Sequence, residues 1–261
     1  MSISIKRLIA SLLTIFLILF SWIISYEYHC IAIIFPIIIL AIISHSFIEL
    51  KMQERRCLKK CYFKKETIVA RILSSRSTVV VVYLILSIMM SITIVSSAID
   101  YTPIWWLYLV VHTLLSLILY RAISYASLST INSSYHKLFA REWTINGMTL
   151  LILPFFIYLS LNSYTPEYLK EGFVETLDSA SSTISSECII INRILTWSRE
   201  LDALLWWLVY SSATYAKASW IKAIIWIGFI IYNSIALLGI NRLIVQIIYI
   251  IDIIFKRKNY D

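Results

Sequence analysis

Charged residues and glycine are both scarce in this sequence. Asp, Glu, Lys and Arg together make up 15% of the 261 residues, whereas hydrophobic residues make up 60%. The mean hydropathy is +0.81. A soluble domain has about 25% charged residues. The composition therefore argues against a soluble protein and predicts an all-α, polytopic integral membrane protein.

The few glycines exclude several kinds of nucleotide site and catalytic site. Only four are present, at positions 147, 172, 228 and 239. Dinucleotide fingerprints, Walker loops and nucleophile elbows all need closely spaced glycines, so none can be written in this chain. Cys57 and Cys61 have the spacing of half a zinc site, but no second Cys or His pair lies near them in the sequence. We therefore predict no cofactor, no metal and no enzymatic activity.

Six apolar segments approach or exceed the roughly 20 residues that cross a bilayer. They are 8–25, 31–48, 78–99, 104–120, 145–161 and 220–240. The first follows a short basic stretch, but no small-residue cleavage site comes after it, so we interpret it as a retained span and not a signal peptide. The chain then divides into a first hairpin, a basic loop, spans three to five, an acidic helical region, and a sixth span with a basic tail: 1–48, 49–77, 78–161, 162–219 and 220–261.

The distribution of Lys and Arg predicts the orientation. Six crossings put segments 1–7, 49–77, 121–144 and 241–261 on one side, with 18 of the 23 Lys and Arg residues. Nine of the 15 carboxylates fall on the other side. Because positive charge is retained in the cytoplasm, we predict that both termini are cytoplasmic, in the inner membrane of a bacterium. In a rival topology, 203–216 crosses as a seventh span and the carboxyl terminus lies outside.

The acidic region 162–219 is predicted to be extracytoplasmic and mostly helical, with a helix that begins at Pro166. Apolar residues follow at spacings of three and four and form one amphipathic stripe. Three interpretations stay open: a helix lying on the membrane, a helical hairpin against another copy or a partner, and a ligand sensor. The residues predicted to make the contact are Phe173, Leu177, Ile184, Ile191 and Leu195.

The basic loop 49–77 contains the sequence ELKMQERRCLKKCYFKKE. It is predicted to be helical and to contact anionic lipid headgroups or an acidic protein partner. We expect no nucleic acid there, because little folded protein surrounds the loop. The tail 243–255 is predicted to be an interfacial helix. The predicted contact residues of the loop are Arg55, Arg56, Lys59, Lys60, Lys64 and Lys65.

One ionisable residue, His112, lies halfway along a predicted span. It shares a helix face with Tyr108, Ser116 and Tyr120, each four residues from the next, and such a polar stripe faces other helices and not lipid. Its roles could be hydrogen bonding between helices, a protonatable constriction in a pore, or catalysis. No carboxylate is spaced to orient the imidazole for catalysis.

Cys30 and Cys188 both fall on the predicted outer side. In an oxidising compartment they could form a disulfide, which makes them a candidate pair.

These observations predict a non-enzymatic inner-membrane sensor or scaffold subunit. Its outer helices would make contact, its basic loop would dock a partner, and the expected partners are the lipid bilayer and a second copy or another protein. Architecture alone resembles that of small accessory proteins of defence, immunity and secretion, with no motif in support. The alternative is an oligomeric channel lined by the His112 stripe, and a lipid-modifying enzyme ranks third.

Overall fold

The computed structural model describes residues 3–61, 75–132, 135–162, 166–215 and 218–257. Within these ranges the chain is helical and contains no strand, so the predicted all-α class is confirmed for them. A short 3₁₀ turn, Cys30–Ile33, joins the first two helices. The α-helices are α1 (Ile3–Ser25), α2 (Ile34–Cys61), α3 (Arg76–Ile99), α4 (Pro103–Ser127), α5 (His136–Asn162), α6 (Phe173–Ser182), α7 (Ile189–Tyr215) and α8 (Ser219–Arg257).

Five helices in the described ranges are long and apolar enough to cross a membrane. They cover Ile5–Ser25, Cys30–Glu54, Arg76–Ile99, Pro103–Ser127 and Ser219–Phe255. The predicted span 145–161 lies within α5 but is not among these five, and neither is α7, which contains the rival crossing. Helix α2 continues through Cys61, so the first part of the basic loop is helical, as predicted. Lys64 and Lys65 lie outside the described residues.

Helix α8 is the central element of the fold. It has 39 residues and therefore a length of about 58 Å. It packs against α1, α2, α3, α4, α5 and α7. Its segment 240–248 is buried on every side, which is why Leu243, Ile244 and Val245 have no exposed surface. The prediction of a separate interfacial helix over 243–255 is therefore wrong: this stretch continues α8 and belongs to the core.

Charged residues gather at the two ends of the bundle. At one end, the start of α1, the end of the α2 span, the start of α5 and the end of α8 contribute Arg7, Glu49, Arg141 and Asp252. We call this the ionic end. At the other, the disulfide end, Cys30 is bonded to Cys188 and Asp100 is paired with Arg199. Helix α5 begins at the ionic end, and Tyr168, shortly after α5, bonds to Asp202 at the disulfide end, so α5 runs the length of the bundle.

The α7–α8 hairpin extends past the disulfide end. Gly239 of α8 lies against the Met90 side chain of α3. The two helices are antiparallel, so the end of α3, nine residues after Met90, lies level with Ile230, nine residues before Gly239. Residues 219–229 of α8 therefore extend about 16 Å beyond α3. Residues 203–215 of α7 accompany them, with the Trp206 and Phe229 rings 4.9 Å apart. We call residues 203–215 and 219–229 the projection.

The acidic region differs from its prediction in where its helices begin. Residues 166–172 form turns, and α6 begins at Phe173 with Gly172 as its N-cap, not at Pro166. The helix then ends at Ser182, so the apolar stripe runs over two helices joined by a non-helical link. Ile184, Ile191 and Leu195 are buried. The stripe packs α6 and α7 onto the bundle.

Candidate functional site

A network of buried charged and polar side chains, the ionic network, lies at the ionic end of the bundle. We define it by Glu49, Arg141, Glu142, Arg242 and Gln246. The Arg141 side chain is fully buried and donates to Glu49 and, at 3.0 Å each, to Glu142 Oε1 and Gln246 Oε1. Its remaining terminal nitrogen donates to the Ser46 carbonyl at 2.9 Å. A guanidinium carries five donor hydrogens in a rigid plane, so one side chain connects α2, α5 and α8.

Arg242 completes the network from α8. Its two terminal nitrogens donate to the carboxylate of Glu142 at 3.1 and 2.8 Å, and one also donates to Ser46 Oγ at 2.9 Å. The guanidinium carbon lies 3.8 Å from the centre of the Phe47 ring. A two-pronged contact of this kind fixes the orientation of both partners. Farther along α8, Asp252 pairs with Arg7 and with Lys137.

A cavity of about 1120 Å³ opens beside the network. Its charged end is formed by Lys51, Glu54, Glu142 and Arg242, and its apolar wall includes Leu86 of α3 and Leu238 of α8. The charges at this end are paired with each other, Lys51 with Glu54 and Arg242 with Glu142. One wall of the cavity is therefore apolar, and its other end is polar with paired positive and negative charges.

The polar column is a second buried feature. The structure brings the predicted stripe, Tyr108, His112, Ser116 and Tyr120, onto the inner face of α4, which packs against α1, α5 and α8. Within the described part of the chain, neither ring nitrogen of His112 nor any hydroxyl of these four residues has a hydrogen-bond partner. Asn241 of α8 is close enough to the imidazole to interact with it, although the geometry falls short of a hydrogen bond.

The disulfide end is held by a clamp of three contacts. Cys30 and Cys188, the candidate pair of the sequence, are bonded in the structure. The backbone N–H of Glu187 donates to the Glu27 carbonyl at 2.8 Å beside them. Arg199 donates to both oxygens of Asp100, at 2.6 and 2.8 Å. Together these contacts attach the α6–α7 region to the ends of α1 and α3.

For Arg199 and for Asp202, burial and neighbouring charges shift the pKa in opposite directions. Burial opposes the positive charge of Arg199, but the Asp100 carboxylate more than offsets it and raises the Arg199 pKa. Burial raises the pKa of Asp202 above its usual range, partly opposed by the Tyr168 hydroxyl that donates to it at 2.6 Å. Arg199 is thus held permanently charged, whereas Asp202 is less acidic than a free carboxyl.

The predicted contact residues fall in different environments. Of the outer stripe, Ile184, Ile191 and Leu195 are buried, Leu177 packs against a small core under the projection, and Phe173 is partly exposed. The last turns of α2 carry Arg55, Arg56, Lys59 and Lys60. The sequence does not predict the ionic network, because hydropathy places Arg141, Glu142 and Arg242 outside the spans. A signal was present: Arg242 and Gln246 are four residues apart in an apolar stretch, the same spacing that identified the His112 stripe.

Comparisons with protein families, with curated proteins and with solved structures find no match for this chain.

Proposed function

We propose that this chain is a non-enzymatic, multi-pass inner-membrane protein that acts as a sensor or scaffold subunit, with the disulfide end outside and the ionic end in the cytoplasm. Two independent observations support the orientation. The positive charge of the sequence is concentrated in segments that join the ionic end. The disulfide lies at the opposite end, and disulfides persist in oxidising compartments such as the periplasm.

The observation that carries the proposal is an apolar face on the projection that the described residues leave uncovered. Trp220, Ile224 and Ile227 of α8 are 65%, 59% and 56% exposed, at helical spacings of four and three. This face lies beyond the end of α3, whereas the exposed apolar faces of α1 and α4 lie along the bundle where lipid would cover them. A contiguous apolar face outside the bundle marks a contact with another protein. We therefore assign the proposed contact to α8, because three of the five residues of the predicted stripe, Ile184, Ile191 and Leu195, are buried.

The fold supports a sensing role because one helix connects this face to the ionic network. Ile224 and Arg242 lie on the same uninterrupted α8, about 27 Å apart along its axis. The clamp fixes α7 to the ends of α1 and α3. A partner that binds the projection would therefore move α8 relative to these helices. Such a motion would change the hydrogen bonds of Arg242 and Gln246, which join α8 to α5.

At the cytoplasmic end, the basic last turns of α2 are suited to an acidic protein partner or to anionic lipid headgroups. Each Lys or Arg near an anionic membrane surface contributes about 1 kcal/mol. The alternative, a channel shared by several copies with the His112 stripe at its axis, is less favoured, because His112, Ser116 and Tyr120 are buried inside a single chain.

Photo-crosslinking tests the contact surface. A photoreactive amino acid at Ile224 should crosslink to protein in intact cells, giving twice the subunit mass for a second copy or another defined mass for a partner. The same group at Leu17, which is 63% exposed on the membrane face of α1, should react with lipid, and at buried Phe229 it should give no intermolecular product. If Ile224 gives only the lipid products of Leu17, the proposed contact is wrong.

Cysteine labelling tests the orientation. In a variant without the native cysteines, Glu171→Cys should react with a membrane-impermeant maleimide in intact cells, whereas Glu54→Cys should react only after the membrane is opened. Both positions are exposed, so accessibility differs only by side. Labelling of Glu54→Cys in intact cells would reverse the proposed orientation.

A further inference from the structure

The polar column places one polar side chain on each of four successive turns of α4, and their polar atoms are buried. Consecutive members are four residues apart, which is about 6 Å along the helix axis. None of these polar atoms has a hydrogen-bond partner among the described residues, so neighbouring side chains of the column are not bonded to each other. A water molecule between two neighbours can donate to one and accept from the other. The Tyr108 and His112 ring centres, 5.5 Å apart, agree with this spacing.

Burial without partners is costly enough to require such water. His112 is 1% exposed, Ser116 0% and Tyr120 3%. A buried polar group without a partner is destabilising, and internal water is the usual way in which proteins remove this cost. The Asn241 carbonyl oxygen is also buried without a partner in the described structure and faces the same region from α8.

The column reaches a polar group at each end. Toward the disulfide end, Tyr108 lies within electrostatic range of Tyr101, which follows Asp100 and stacks on Trp105. Toward the ionic end, Tyr120 lies within range of four groups that come from three helices: Tyr249 and Asp252 of α8, Arg141 of α5 and Arg7 of α1. Asp252 and Arg7 are partly exposed there. From Tyr108 to Tyr120 the distance is about 18 Å, more than half of the hydrocarbon thickness.

We infer that this column holds a chain of water molecules and conducts protons across the membrane through a single copy of the protein. Each hydroxyl accepts a proton from the water on one side and releases its own to the water on the other. His112 accepts a proton at one ring nitrogen and releases one from the other, so every group ends a passage with its original charge. Asn241 of α8 lies beside the imidazole, and its amide is uncharged.

Proton flux into liposomes tests this inference. The purified full chain is reconstituted with a pH-sensitive dye inside, and a potassium gradient with valinomycin supplies the driving voltage. Wild-type protein should acidify the lumen faster than protein-free liposomes. His112→Leu and Tyr120→Phe should both reduce the flux to the protein-free level, because each breaks the chain at one position. If wild-type liposomes behave as protein-free ones, no conduction exists.

Thr113→Val is the matched control. Thr113 is buried at the same depth on α4, but its hydroxyl donates to the Leu109 carbonyl at 2.8 Å and takes no part in the column. This variant should keep the wild-type flux. Tyr120→Phe removes one oxygen atom and decides the question even if His112→Leu does not fold. Wild-type flux in Tyr120→Phe would overturn the inference. A flux that rises more steeply than the number of chains per liposome would also overturn it, because conduction would then need more than one copy.

Discussion

Arg141→Met should lower the free energy of unfolding by about 3–5 kcal/mol, the usual result of removing one partner from a buried ionic group. The Arg141 guanidinium has no exposed surface and serves four acceptors on α2, α5 and α8. Its loss leaves the Glu142 carboxylate with one cation and the Gln246 oxygen without its donor. At roughly 2–4 °C per kcal/mol for a chain of this size, the melting temperature in mild detergent should fall by about 10 °C.

Lys51→Met is the matched control for this prediction, because it also replaces one cation by Met, in this case on α2. Lys51 pairs with Glu54, but the two side chains are 30% and 43% exposed. An exposed pair of this kind contributes only about 0–1 kcal/mol. Arg141→Lys keeps the charge but loses the planar fork, so its melting temperature should fall between those of the other two variants. Equal melting of Arg141→Met and Lys51→Met would show that the network does not stabilise the bundle.

Removal of the disulfide is the second change with a large expected effect. Cys30 and Cys188 are 158 residues apart in the sequence, so the bond closes a long loop in the unfolded chain. Long loops give the greater entropic stabilisation, and losing a native disulfide typically costs about 2–5 kcal/mol. We expect Cys30→Ala with Cys188→Ala to lower the melting temperature. The α6–α7 region should loosen first, because the bond is its covalent attachment to the bundle at this end.

Comparison of reduced and oxidised protein separates the bond from the side chains that form it. Reducing agent should lower the melting temperature of the wild type but leave that of the double alanine variant unchanged. A change of mobility between reducing and non-reducing gels should be seen in the wild type alone. If reducing agent has no effect on the wild type purified from cells, the two cysteines are not paired there.

The His112 stripe shows how far periodicity alone can be used. Four polar residues at a spacing of four must share one face of a helix, and in an apolar chain that face turns inward. The structure has all four on the inner face of α4. Periodicity could not identify Asn241 as the facing group, because Asn241 lies 129 positions farther along the chain, and only packing decides which helices meet.

The ionic network shows where hydropathy fails. A hydropathy window ends a span at the first cluster of charges, so it places Arg141 and Arg242 outside the spans. In the protein these charges neutralise one another across three helices, and the helices continue through them. The same compensation explains why α8 runs unbroken to Arg257. A charge that is paired inside a bundle has a far lower cost than the same charge facing lipid.

The amphipathic stripe of the acidic region shows what a helical period cannot predict. Its period correctly indicates one buried face on α6 and α7, but a period does not say what covers that face. The bundle covers Ile184, Ile191 and Leu195, and the exposed apolar residues that we propose as the contact lie on the projection. Their exposure depends on how far α8 extends past α3, which is a property of register.

The sequence by itself determined that the chain is helical, that several helices are apolar enough for a membrane, and that its cations are concentrated in a few segments. These properties follow from composition and from the 3.6-residue period, which act locally. Only the tertiary structure decided which charges meet, which polar groups lack partners, and which apolar face remains free. Those outcomes depend on contacts between residues more than 90 positions apart, such as Arg141 with Glu49, and on the energy of burying charge, which is favourable only when the partner is already in position.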